Sequence, residues 1–199
     1  MTVTSPSKPN FSICVYCGSR DGNQPAFAYA AGEVGRWIGQ HGGQLVYGGG
    51  RNGLMGIVAQ ATLDAGGRVK GIIPQALVDK EWAKTDCTEL HIVQTMHERK
   101  AMMAEHADVF LALPGGIGTF EELFEAWTWK QLGYHDKPIG ILNVNGCYDA
   151  FMQMMRGTVD DGFVGDYQMQ MIQMAEEPAG LLRELVTAAG LAEQLKRVD

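Results

Sequence analysis

The chain has 199 residues, 46% apolar and 20% charged, which suits one soluble domain large enough to bury a sizeable core. Its formal net charge of -7 argues against general nucleic-acid binding, which needs a basic face. No apolar run reaches bilayer-spanning length and the opening MTVTSPSKPN lacks a signal-peptide core, so the expectation is a cytoplasmic protein with no membrane partner.

Residues 1–10 read as a loose tail and 11–199 as a single domain. FSICVYCGS (11–19) reads as a buried strand ending in small residues. It carries Cys14 and Cys17, an i,i+3 pair whose side chains point to opposite faces of a strand. With no second CxxC or histidine pair to complete a zinc set, they read as buried, reduced cysteines, and no metal site is expected. Pro25 opens a helix running to Gly42–Gly43, with Ala28, Ala31, Val34 and Ile38 at helical spacing. QLVYGGG (44–50) is the second strand, NGLMGIVAQATLDAGG the next helix with Asn52 at its start, and RVKGIIP (68–74) the third strand.

Residues 75–87 suggest a short helix and a loop. TELHIVQT (88–95) reads as a strand, MHERKAMMAEHA (96–107) as a helix and DVFLALPGG (108–116) as a strand. A long helix is expected from about Thr119 to Leu132, a strand at 138–145, a helix around Tyr148–Arg156, a short apolar piece near 167–174 and a last helix at 178–196. Strands alternating with helices imply an α/β fold, a doubly wound parallel sheet with helices on both faces and right-handed crossovers.

In such folds, ligands bind beyond the carboxyl ends of the strands. Three glycine-rich stretches fall there: Gly18-Ser19, Gly48-Gly49-Gly50 and Gly115-Gly116-Ile117-Gly118-Thr119. Glycine lets backbone N–H groups approach an anion, and a following helix N-terminus favours negative charge. GGGRNG (48–53) matches GxGxxG formally, but it follows the second strand and no acidic residue ends RVKGIIP, so a dinucleotide cofactor is not expected and a tight turn competes as its explanation. A P-loop is absent, because no Gly-Lys-Ser/Thr follows any glycine loop.

In ALPGGIGTFEEL (112–123), Pro114 ends the strand, the glycines turn the chain, and Thr119 is placed to cap the helix or to bond a phosphate oxygen. Glu121 and Glu122 then fall in the first helical turn, where they either complement the macrodipole or face the site. A phosphate at the same helix end repels such a carboxylate, so a glutamate facing the site needs a cationic partner or transition state. Arg99 lies at the same sheet edge and either serves the site or snorkels over packing near Met103. His97 reads as a surface or supporting residue rather than a catalyst.

PGGIGTFEE resembles the PGGxGTxxE signature of the LONELY GUY (LOG) family, the cytokinin-activating phosphoribohydrolases. MHERK, VYGGGRNGLMG and CGSR are similar to their family counterparts in the same order, and the similarity runs from about residue 11 to beyond 150. The resemblance implies a Rossmann-like fold, no cofactor, and a homodimer with its active site near the interface. It also implies hydrolysis of the N-glycosidic bond of nucleoside 5'-monophosphates, N6-prenylated AMP or AMP, to free base and ribose 5-phosphate.

Carried onto this chain, the resemblance makes Arg99 and Glu122 catalytic. It adds Met96, Lys100, Gly115, Gly116, Ile117, Gly118, Thr119 and Glu121 to Gly18, Ser19, Gly48, Gly49 and Gly50 as substrate- and phosphate-binding positions. Ile117 stands where many members have tyrosine. A lysine-decarboxylase label, often attached to this family, gains no support from any pyridoxal-phosphate lysine pattern. Two alternatives share the fold: a non-catalytic nucleotide carrier, and a transferase passing the ribosyl cation to another acceptor. Trp127 and Trp129 are candidates for a dimer face or for core, and the methionines of FMQMMRG and YQMQMIQM for core or for a greasy pocket.

Overall fold

The computed structural model of the protein describes residues 8–80 and 82–195. The chain runs through β1 (Ser12–Tyr16), α1 (Pro25–Gln40), β2 (Gln44–Tyr47), α2 (Gly53–Asp64), β3 (Arg68–Pro74), α3 (Gln75–Val78), β4 (Glu89–Val93) and α4 (Met96–Glu105). It continues with β5 (Val109–Ala112), α5 (Ile117–Gln131), β6 (Ile139–Leu142), a 3-10 turn (Val144–Gly146), α6 (Asp149–Asp160), α7 (Asp166–Met169), β7 (Ile172–Ala175), α8 (Pro178–Ala188) and α9 (Ala192–Leu195).

The strands form one seven-stranded sheet in the order β4-β3-β2-β1-β5-β6-β7, and every pairing is parallel. The doubly wound parallel architecture read from the alternation of strands and helices is the one observed. Winding reverses between β1 and β5, which makes their carboxyl ends the topological switch point, where such sheets bind ligands. There the two glycine loops are tied directly: the Gly18 N–H donates to the Pro114 carbonyl at 3.0 Å.

All five residues of β1 are buried because the sheet is covered on both faces. Ile13 and Val15 enter one core, packed with Val34 and Ile38 of α1 and Leu182 and Leu185 of α8. Cys14 and Tyr16 enter the other, with Met103 of α4, Leu123 of α5 and Phe151 of α6. Cys17 follows into the first core, so the two cysteines are buried, free and on opposite faces. Trp127 belongs to the second core, where its indole N–H donates to the Gln168 carbonyl at 2.9 Å.

Several boundaries differ from the sequence reading. Of the expected tail, residues 1–7 lie outside the described residues, while Asn10 is already bonded to Gly42 and His41 in the α1–β2 turn. β2 ends at Tyr47, leaving Gly48–Gly50 as loop. α5 starts at Ile117, two residues before Thr119, so Gly116 takes the N-cap position and Thr119 lies inside the first turn. Glu121 and Glu122 therefore sit in the second turn, and no acidic residue occupies the first. Residues 167–174 divide between α7 and β7, an edge strand the sequence reading does not contain. The last helix stops at Ala188 because Gly190, at φ 78°, turns the chain before α9. The end of that expected helix, Lys196, lies outside the described residues.

Candidate active site

A cleft of about 640 Å3 opens at the carboxyl ends of β1, β2, β3 and β5. All the site residues expected from the sequence line it except Gly49 and Lys100. Gly49, at φ +73°, is packed against Ile72 and Ile73, so it shapes the loop from behind.

Arg99 and Glu122 face each other across the cleft floor. Arg99 Nη1 donates to Glu122 Oε1 at 3.0 Å, and its Nε donates to the Ile72 carbonyl at 3.2 Å. Both side chains are about a tenth exposed, so the pair is desolvated. Arg99 thus reaches the site rather than snorkelling outward. Two local features aim it. Thr95 and Glu98 form a reciprocal capping box that fixes where α4 begins, immediately before Arg99. Gly48 then leaves a slot for the guanidinium: a Cβ there would lie 1.6 Å from Arg99 Nη2.

At the other wall the N-terminus of α5 opens onto the cleft. The first backbone N–H groups of a helix have no intrahelical acceptor, so Gly116 to Thr119 present donors beside the positive end of the dipole. A Cβ on Gly116 or Gly118 would meet nothing within 4 Å, which leaves the approach open. Gly115 is held tightly instead, with Thr119 Oγ1 where its Cβ would be. Thr119 is 3% exposed and braces the loop from inside rather than capping the helix.

The second-turn position of Glu122 removes the conflict between an anion and a carboxylate at one helix end. Five residues beyond Ile117, it lies about 7.5 Å further along the axis at 1.5 Å per residue. Lys100 points elsewhere: its ammonium is paired with Glu121 at 2.5 Å and Glu125 at 2.8 Å. In this structure it holds the two carboxylates flanking Glu122 and does not line the cleft.

Burial pushes the Glu122 carboxyl above the ordinary carboxylate range, more than Arg99 lowers it, with Glu121 and Glu125 adding to the rise and Lys100 opposing it. Burial first, and then the Glu122 charge, push the Cys14 and Cys17 thiols up as well, so both stay neutral. Among the described residues no group of three or more His, Cys, Asp and Glu is placed to hold a metal ion, and no lysine lines the cleft.

The cleft also includes residues the sequence reading did not assign: Arg20, Met55, Leu77, Trp82 and Tyr148. Tyr148 donates its hydroxyl to the Leu113 carbonyl at 2.7 Å and so braces the loop after β5. Neither the methionines of 152–155 nor those of 169–174 line it; Met152, Met155, Met169 and Met171 pack into the second core instead.

A family model described as "possible lysine decarboxylase" matches residues 55–185. The probable cytokinin riboside 5'-monophosphate phosphoribohydrolase LOGL1 of Oryza sativa subsp. japonica is 48% identical over 183 residues, 92% of this chain and 82% of that protein. The cytokinin riboside 5'-monophosphate phosphoribohydrolase LOG5 of Arabidopsis thaliana is 46% identical over 173 residues, 87% of this chain and 76% of that protein. The chain belongs to the LOG family. Solved structures extend the likeness of fold alone. The molybdenum cofactor binding protein of Rippkaea orientalis superposes with a TM-score of 0.67 at 20% identity, over 92% of this chain and 98% of that one. The molybdenum cofactor carrier protein of Chlamydomonas reinhardtii gives 0.66 at 21%, over 92% and 99%.

Proposed function

We propose that this protein hydrolyses the N-glycosidic bond of adenosine 5'-monophosphates, with or without an N6 substituent, giving free base and ribose 5-phosphate. The observation that carries this reading is the buried Arg99–Glu122 pair in a cleft whose far wall is the glycine-lined N-terminus of α5. LOG relatives 42–48% identical carry the name cytokinin riboside 5'-monophosphate phosphoribohydrolase, which supports it.

The 5'-phosphate accepts hydrogen bonds from the free N–H groups at 116–119, and the helix dipole favours its charge. Cleavage of the bond between C1' and the base nitrogen sends the electron pair to the base and leaves a ribosyl cation of oxocarbenium character, as in O-glycoside hydrolysis. Glu122 stabilises that cation and orients the water whose oxygen bonds to C1'; the proton released ends on the departing base. Arg99 holds the carboxylate in place and offsets negative charge developing as the base leaves. Binding the phosphate remote from the reacting carbon supplies the positioning.

The protein acts as a cytoplasmic homodimer with its clefts beside the interface. Ile117 and Met96, which border the cleft at 89% and 44% exposed, give an apolar rim for a second copy to cover. Light scattering on the eluting peak of a sizing column tests this; a mass of 21.7 kDa at micromolar concentration would overturn it.

Purified protein incubated with AMP, N6-isopentenyl-AMP and the matching nucleosides tests the reaction by chromatography. Free base should appear from the monophosphates alone and disappear with Glu122→Gln. Folded wild-type protein that leaves both nucleotides intact would overturn the reading in favour of a carrier. Ribosyl transfer to an added base in preference to water would point to the transferase.

A further inference from the structure

The loop after β2 contains three consecutive glycines, and its chemistry is only partly accounted for by the Arg99 slot at Gly48. The next two glycines bind a second segment. Gly50 forms an antiparallel bridge with Ala83, the Lys84 N–H donates to the Gly49 carbonyl at 2.9 Å, and the Arg51 N–H donates to the Trp82 carbonyl at 2.9 Å. The Trp82 N–H in turn donates to the Leu77 carbonyl at 3.2 Å. Both peptide groups of Trp82 are therefore engaged, and the connection between α3 and β4 is clipped to the cleft wall at this residue.

Its side chain is used differently from the buried indoles. Trp37 and Trp127 are 7% and 4% exposed, whereas Trp82 lines the cleft and keeps 47% of its surface open. An indole left half in water forgoes the apolar stabilisation that burial gives unless something covers it. Lys80 sits over the ring at 5.2 Å from its centroid, a cation–π contact that restrains its orientation. The same cleft is lined by the apolar side chains of Met55, Ile73 and Leu77.

The cleft therefore has two chemically distinct ends. The α5 end after β5 offers backbone N–H groups; the end after β3 offers an aromatic face and aliphatic side chains. The sheet order puts β2 and β1 between them, so the ends are about 14 Å apart at ordinary strand spacing. Arg99 and Glu122 lie between. A mononucleotide with its phosphate on α5 and its sugar over Glu122 carries its base toward Trp82.

We propose that Trp82 is the platform on which the purine ring stacks, and so a residue that restricts the site to aromatic bases. The proposal rests on the nucleotide reading above and adds the determinant of base recognition. Stacking is tolerant of ring substituents because every base offers a π-face, which suits a site acting on AMP with or without an N6 group.

The test is calorimetric binding on the Glu122→Gln background, which separates affinity from turnover. AMP and ribose 5-phosphate are titrated into Glu122→Gln, and into the same variant carrying Trp82→Ala or Trp82→Phe. Loss of the indole should weaken AMP by about ten-fold or more, while Phe keeps it within about three-fold. Ribose 5-phosphate, which has no base, should bind all three proteins alike. Equal AMP affinity in the Ala and parent proteins overturns the proposal and leaves the nucleotide reading standing. Equal weakening of AMP and ribose 5-phosphate also overturns it, in favour of a loop that only shapes the cleft. Absence of any AMP binding to the Glu122→Gln parent and to wild-type protein overturns both.

Discussion

Gly48 and Arg99 occupy one another's space: the position a Cβ would take on Gly48 is 1.6 Å from Arg99 Nη2. The glycine is thus required by a side chain that arrives from α4, two strands away across β3. Any other residue at 48 must drive the guanidinium back by about 2 Å to reach ordinary contact distance. That movement breaks the 3.0 Å bond to Glu122.

Gly48→Ala should therefore lose activity. Gly48 has no positive φ, so alanine adds no backbone strain there. Displacing a reacting group by an ångström or more costs about 100-fold in rate, and we expect at least that drop in kcat/KM for AMP. The melting temperature should fall too, because separating the desolvated pair leaves buried charge uncompensated. A variant with wild-type kinetics would show that Arg99 works from another position.

The pH dependence follows from Glu122. Burial holds its carboxyl above the ordinary range, and activity needs the ionised form facing the ribosyl cation. Activity should be full above that raised value and lost as pH falls through it, an acid limb lying above 4.5, the ordinary glutamate value. Lys100 lowers the same carboxyl and also neutralises Glu121 and Glu125. Lys100→Met should move the limb to higher pH while leaving the alkaline side in place. Because the substrate phosphate titrates too, the profile of kcat at saturating AMP is the one to compare.

The capping box gives a separate handle on Arg99. The Glu98 N–H donates to Thr95 Oγ1 at 3.1 Å, and the Glu98 carboxylate accepts from the Thr95 N–H at 3.3 Å and the Gln94 N–H at 2.7 Å. Thr95→Ala should cost about 1 kcal/mol, which lowers the melting temperature of a chain this size by roughly 2–4 °C. Activity should fall further than that loss of stability accounts for, since the frayed turn is the one that carries Arg99. Thr95→Ser should restore both. Differential scanning calorimetry alongside initial rates checks it.

Much of this was legible in the sequence, and the parts that were not share a cause. Alternating strands and helices gave the parallel sheet, because each segment's apolar pattern is local. PGGIGTFEEL and MHERK named Arg99 and Glu122, and TMHE (95–98) carried a capping-box signal that the helix reading did not use. α5 starts at Ile117, two residues before the expected Thr119, and Thr119 tucks against Gly115 inside the first turn, a contact that no apolar periodicity signals. The pairing of Lys100 with Glu121 and Glu125 was not legible, since these partners are brought to it only by the fold. Trp82 gave no local signal at all. Its importance comes from an antiparallel bridge to a glycine loop 33 positions earlier, at Gly50–Ala83, which no periodicity records.

Glu122 also sets a trade between stability and chemistry. A carboxyl whose folded pKa is raised favours folding most when protonated. Its contribution is full below the unfolded value near 4.5 and is lost as pH rises through the folded value. Above that raised value the fold carries a buried carboxylate that the unfolded chain holds more comfortably in water, partly offset by Arg99. Glu122→Gln keeps the shape, accepts from Arg99 and stays neutral, so it should melt higher than wild type wherever Glu122 is ionised. The advantage should shrink as pH falls, because wild-type Glu122 then becomes neutral as well. Each tenfold weakening of acidity is worth about 1.4 kcal/mol, or roughly 3–6 °C in a domain of this size. Thermal melts of both proteins across a pH series from acid to alkaline measure it. A variant that melts below wild type at the alkaline end of that series would mean that the Arg99–Glu122 attraction exceeds the cost of burying the charge.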